Sequence, residues 1–314
     1  MKKILILLII LAAVIFLGMI TGSVKIPLNG LFLQENRAIV SLRFLRIFTA
    51  VISGAGLAVS GIVLQAILRN SLAEPYLLGT SSGAGLGAAL SMMMGVSAAF
   101  LPVSAFCGAI LSIILVYNLA KQNGKIAEQS LILSGVIVSV AFSAIIVFLL
   151  SISSKEMLHS FSWWLWGSLQ AFDLKLLGGV SLIVSAGVIA IYLFSQDLNA
   201  ISLGEEEAIH LGIDIETVKL ILIMITALIS ASLVCICGII GFVGLIVPHM
   251  MRLLVGPNHK VLIPTTIIAA AIFMVSCDII SRSVFPPLEI PIGVITAIIG
   301  APIFIFLLKS KQRV

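Results

Sequence analysis

Two groups of side chains in this chain have the chemistry to meet a partner at a water-exposed edge. Arg43 and Arg46 stand just ahead of an apolar run, with no acid at helical pairing distance in the sequence, and Arg282 follows Asp278 by four residues. A guanidinium is a planar fork of donors that matches a carboxylate, so arginines fixed at a rim set the register of an acidic surface. Snorkelling to the headgroup level is the plainer reading of the same residues. The second group is Glu205, Glu206 and Glu207, in the polar segment 196–216.

Other chemistry is scarce. Cys107, Cys235, Cys237 and Cys277 all fall inside apolar runs, and the Cys235/Cys237 pair has no His or acid beside it at ligand spacing. They read as small apolar residues, and no metal site is expected. No G-x-x-x-x-G-K-[ST] run occurs, so the chain cannot cradle ATP phosphates itself and no cofactor is expected in it. The one G-x-S-x-G match, Gly79 to Gly83, lies in an apolar run with no strand before it, which removes the nucleophile-elbow context. His249 belongs to no H-E-x-x-H, and no catalytic residue is expected.

The elements that carry these residues must be membrane spans. The 314 residues are 61% hydrophobic and 10% charged, against about 25% charged in an average soluble chain. The +5 formal charge is no nucleic-acid footprint, because the basic residues sit between apolar runs instead of on one face. With about 20 residues per crossing, the spans are Ile4–Ser23, Ile47–Leu68, two within the charge-free run Pro75–Ala120 divided at Gly95–Pro102, Ser130–Leu150 and Leu176–Phe194. Leu220–Met251 is too long for one helix and turns near Gly238, Gly241 and Gly244; Pro264–Ser281 and Pro291–Leu308 complete ten. The expected fold is all-α, one transmembrane domain over 1–314. Two lysines and a long apolar run with no A-x-A site make the N-terminus an uncleaved first span, not a signal peptide.

Ten spans put both termini on one side. Placing them inside leaves eleven Lys and Arg on the inner face and seven on the outer, counting Lys25 outside and Lys125, Lys309, Lys311 and Arg313 inside. The segment 155–172 carries all three tryptophans and reads as an outer interfacial helix. Segment 196–216 reads as an inner loop whose core, LGEEEAIHLGI, is a short amphipathic helix with Ala208 and Leu211 on one side. Between the second and third spans, Arg69 to Glu74 form a polar hinge closed by Pro75.

Several long motifs in order then carry a resemblance: LRFLR at 42–46, GAGLAVSG, QAILRNSLAEPYLLG with SSGAG, LGEEEAIHLG, GFVGLIVPHMMRLLVGPNHKVLIP, CDIISR and LEIPIGVITAIIGAP. The chain resembles the FecCD group, the permease subunits of bacterial ABC importers for iron–siderophore, haem and cobalamin. It departs from that group's pattern at Leu45 and Ser71, where prolines are usual, and at Asn258, where an aspartate is usual. The resemblance implies a cobalamin-importer-permease-like fold in the cytoplasmic membrane, paired with a second permease subunit, either another copy or a paralogue. It implies two cytoplasmic ATPases that bind ATP and magnesium, and an extracytoplasmic binding protein. Arg43, Arg46 and Arg282 would dock the binding protein, and Glu205, Glu206, Glu207, Ala208 and Gly212 would form the ATPase coupling motif. The expected cargo is a metal chelate, foremost an iron(III)–siderophore, with cobalamin or haem as the alternative. An ion-gradient transporter is the rival of a different class. It would be expected to hold an ionisable residue deep in a span, where only Asp278 and His249 are candidates.

A cargo path should be wide and unsticky. Ser130, Ser134 and Ala141 in the fifth span, with Gly293, Thr296 and Gly300 in the tenth, are its expected lining. Gly54, Gly61, Gly83, Gly87, Gly241, Gly244, Gly293 and Gly300 are expected to be packing notches, since small residues let helices approach where lipid gives no hydrophobic drive. Gly61–Arg69 and Gly244–Arg252 echo one another, each glycine preceding an arginine by eight residues.

Overall fold

The computed structural model describes residues 2–24, 33–122, 125–170 and 173–311. Lys25, Arg313 and the last two residues of the 155–172 segment lie outside that description, as do the side chains of Lys125, Lys309 and Lys311. Thirteen helices occur among the described residues: α1 Lys2–Ile20, α2 Arg37–Ile67, α3 Thr80–Met93, α4 Leu101–Ala120, α5 Glu128–Ser151, α6 Lys155–Leu165, α7 Leu174–Leu193, α8 Ser195–Leu203, α9 Glu205–His210, α10 Ile215–Cys237, α11 Val243–Val255, α12 His259–Ser283 and α13 Ile292–Lys311. The only strands described are Lys121–Gln122 and Lys125–Ile126, a two-residue antiparallel clip between α4 and α5.

Seven of these helices are long and apolar enough to cross a membrane. The short helices α3 and α11, and α13, complete ten crossings in the expected order. The break between the third and fourth spans falls at Met94–Phe100, where the sequence places it.

Boundaries differ where packing extends a helix past its apolar run. α2 begins ten residues before Ile47, so Arg43 and Arg46 ride inside the helix and not ahead of it. With Leu45 in place of a proline, the backbone donor at that position is kept and α2 runs unbroken. The Trp-rich segment leaves the helix at Trp166, and 167–170 then runs without helix or strand, with Gly167 at φ +78°. There Ser168 N donates to the Cys237 carbonyl, while Ile292 N and Gly293 N donate to Gly167 and Trp166.

α2 is the central mast of the fold. It packs against α12, α11, α10, α7 and α8, and its residues from Ser53 to Ile67 are buried without interruption. Its closest approach is glycine on glycine: a Cβ on Gly61 would collide with the Gly244 carbonyl oxygen, and one on Gly244 would lie 2.7 Å from the Leu57 carbonyl. The two echoing glycines of the sequence therefore face each other where α2 crosses α11. Gly54, Gly83, Gly87, Gly293 and Gly300 are crowded in the same way, whereas Gly241 meets nothing within 4 Å and is no notch.

Substitution of Gly61 by alanine is expected to lower stability by about 3 kcal/mol, because backbone cannot step aside as a side chain can. Gly178→Ala, whose Cβ meets nothing within 4 Å, should leave stability within about 1 kcal/mol of the parent or raise it. Thermal unfolding of both variants in detergent measures the difference.

Candidate functional site

At one end of the bundle two of the three arginines, Arg46 and Arg282, converge on a single acid, and Arg43 lines the cavity beside them. Asp278 is fully buried in α12 and pairs with Arg46 at 2.6 Å and with Arg282, one turn away, at 3.0 Å. Arg46 also reaches Glu289 at 2.7 Å, and Gln170 donates to the same carboxylate at 2.9 Å. Arg43 donates to the Met19 carbonyl at 2.7 Å and to the Val24 carbonyl, while Arg282 donates to the Gly18 carbonyl. The cluster thus ties the end of α1 to α2, α12 and the 166–170 loop. A cavity of about 260 Å³ opens beside it, lined by Gly22, Leu42, Arg43, Arg46, Arg282 and Glu289 among others.

This corrects one expectation. Arg46 does have acidic partners; they lie 232 and 243 residues away in sequence, where a search of helical neighbours cannot find them. The Asp278–Arg282 pair is the one expected from spacing.

The opposite end carries the acidic segment. α8 and α9 are two helices meeting at Gly204, not one, with Ala208 fully buried beneath them. Glu205 pairs with Lys219 of α10, whose long side chain is almost wholly buried. Asp214 caps α10 by accepting from Thr217 N at 3.3 Å and from its hydroxyl at 2.6 Å, contacts that hold its carboxyl below the usual range. Gly212 turns the chain with φ +79°. Leu211 does not share the buried side with Ala208: the helix ends at His210 and Leu211 is 68% exposed. Leu203 and Ile209 are exposed with it, so three large apolar side chains stand at a polar end. Nearby, Arg69 pairs with Glu128 at 2.8 Å, which sets the polar hinge next to the start of α5.

Between α10 and α11 lies a span whose first part is not helical. α10 stops at Cys237, residues 238–242 run without helix, and α11 resumes at Val243. The segment descends beside α13, since Gly293 crowds the Ile239 carbonyl and Gly300 crowds Phe242 and Ile246. Non-helical backbone at this depth needs partners from the protein or from a wet cavity.

The path candidates do not share one open face. Ser134, Thr296 and Gly300 are buried within the subunit, Gly293 is packed on carbonyls, Ser130 is half-buried and only Ala141 is exposed. Gly293 and Gly300 of α13 pack on the 239–246 segment, a tertiary contact that helical spacing does not report.

The sequence pattern of the FecCD transport family matches residues 6–310. The chain belongs to the FecCD transport family. As a FecCD chain it is a multi-pass membrane permease of the ABC-importer type. It is 36% identical to the cobalamin import system permease protein BtuC of Halobacterium salinarum, over 87% of this chain and 73% of that one. To the molybdate import system permease protein MolB of Haemophilus influenzae it is 36% identical, over 98% and 94% of the two chains. A solved inward-facing metal-chelate type ABC transporter superposes on this FecCD chain with a TM-score of 0.89 at 34% identity, covering 98% of each.

Gln65, Glu74, Tyr76, Gln170 and Glu289 were not singled out from sequence, although each binds a distant element here. One signal was available for the first: Pro248 leaves the carbonyl four residues before it without a helical donor.

Replacing Asp278 by asparagine is expected to cost about 3–5 kcal/mol, because two buried guanidiniums lose their shared counter-charge. Glu289→Gln, at a site 32% exposed, should cost under about 1 kcal/mol. The two unfolding midpoints in detergent check the ordering.

Proposed function

We propose that this chain is the membrane-embedded half of an ATP-driven importer that carries a metal chelate inward across the cytoplasmic membrane. The observation that carries the reading is the family match over 6–310 together with near-complete superposition on a metal-chelate type transporter. An iron(III) chelate is the cargo we favour, supported by the Trp164–Leu169 run, WLWGSL. Cobalamin or haem is the alternative, since relatives include a cobalamin import permease and the hemin transport system permease protein HmuU of Yersinia pestis.

The chain works beside a second permease subunit, a copy or a paralogue, with both termini in the cytoplasm. Two ATPases, which bind ATP and magnesium, sit under α8 and α9. Exposed Leu203, Ile209 and Leu211 support that seat, because large apolar side chains clustered at a polar end mark a protein contact. Glu205, through its pair with buried Lys219, couples movement of α9 to α10. A binding protein meets the arginine end. There Arg43 and Arg282 hold the socket's shape from within, and Arg46 is the one a partner's acid engages, by displacing half-exposed Glu289. The cargo path runs along the seam with the second subunit, where Ala141 is exposed and Ser130 half-buried.

Uptake of radiolabelled ferric chelate, haemin, cobalamin and molybdate by cells with and without the chain tests the reading. Loss of ATP-dependent ferric chelate uptake on deletion is the expected result. Uptake driven by an ion gradient alone by the purified chain in liposomes would refute it. Ile209→Glu should cut uptake roughly tenfold, the scale of a lost interface anchor, while leaving the amount of chain in the membrane unchanged by immunoblot.

A further inference from the structure

The break at 238–242 leaves backbone groups that no helix can satisfy, and the partners they find come from one place in the chain. The Tyr76 hydroxyl accepts from Ile240 N at 3.1 Å. The Glu74 carboxyl lies within reach of the Phe242 backbone N–H, whose residue holds φ +70° as it caps α11. Pro248 inside α11 has no N–H, so the Gly244 carbonyl lacks its helical donor. Gln65 Nε2 lies 3.3 Å from that carbonyl and 3.2 Å from the Leu245 carbonyl, and 3.4 Å from the Ala73 carbonyl in the hinge itself. Pro75 meanwhile packs on Gly244. Gln65, Glu74 and Tyr76 all belong to the end of α2 and the turn that follows it.

We propose that Gln65, Glu74 and Tyr76 are positioning residues that latch the broken span to the α2–α3 hinge, and that release of this latch is the movement that opens the path. The hinge is suitably placed for such a part. Its first residue, Arg69, is tied to Glu128 at the end where α8 and α9 lie, and one cavity of about 360 Å³ is lined by Arg69, Glu128, Glu205 and Glu216 together. A shift of α9 therefore reaches the hinge through adjoining side chains, and the hinge holds the segment against which Gly293 and Gly300 of α13 rest. Five residues of non-helical backbone can re-pair at lower cost than a helix can bend, because only the latch bonds need to break.

The idea rests on the permease reading, but its test does not. Cys235 and Cys237 close α10 at the lip of the break, and Cys277 is buried in α12 away from it. Native membranes containing the full chain and its partners are treated with a small maleimide, and labelling of each cysteine is followed by peptide mass spectrometry. Tyr76→Phe removes one hydroxyl and keeps the ring; it should speed labelling at Cys235/Cys237 about five- to tenfold, the factor one hydrogen bond supplies, with Cys277 unchanged. Gln65→Leu should do the same, and ATP with vanadate should alter the parent's labelling but not that of the variants. Tyr117→Phe, half-buried near the end of α4, is the control. Parental labelling rates in Tyr76→Phe and Gln65→Leu would overturn the latch. So would a rise at Cys277 equal to that at Cys237, since it would mean general loosening. Because no cargo enters the assay, loss of the uptake reading and loss of the latch give separate results.

Discussion

Every backbone N–H and carbonyl placed in hydrocarbon must find a partner inside the protein, and this one demand organises the fold. Unbroken helices meet it alone. The chain departs from them at 238–242 and at Pro248, and α2 with its following turn makes good the deficit. That is why α2 is buried along so much of its length and why it bears Gly61: a donor on Gln65 can reach the Gly244 carbonyl only if the two backbones nearly touch. Packing and hydrogen bonding are here one requirement, met by one glycine pair.

The charged ends follow the same rule with larger forces. Where α1, α2 and α12 meet, Arg46 and Arg282 share one buried carboxylate, Arg46 also reaches Glu289, and Arg43 and Arg282 donate to carbonyls at the end of α1. A buried charge without such a neighbour would be intolerable, so the cluster fixes the mutual position of three helices before it can serve any partner. Lys219 is the counterpart at the other end, buried along its stem and anchored on Glu205.

Much of this was legible in the chain because a membrane span announces itself by length and lack of charge. The ten crossings, the break after Met93 and the Asp278–Arg282 pair needed only local spacing. What escaped was set by contacts between residues far apart. Arg46 seems solitary until α12 is folded beside α2, and Leu211 looks like Ala208's companion until the helix ends one residue earlier. Gly293 and Gly300 carry the small-residue pattern of a lining, yet the same pattern serves a close fit on Ile239, Phe242 and Ile246. Spacing tells which side chains share a face; it does not tell what the face meets.

The arithmetic of the arginine cluster has one more consequence. Arg43, Arg46 and Arg282 face Asp278 and Glu289, so the group as described is left with one uncompensated positive charge beside an open cavity. At physiological ionic strength such a field extends about 8 Å, beyond the reach of any direct bond. An anionic visitor would be gathered and turned toward this mouth before it touched anything, and brine would blunt that attraction while sparing the contacts made afterwards.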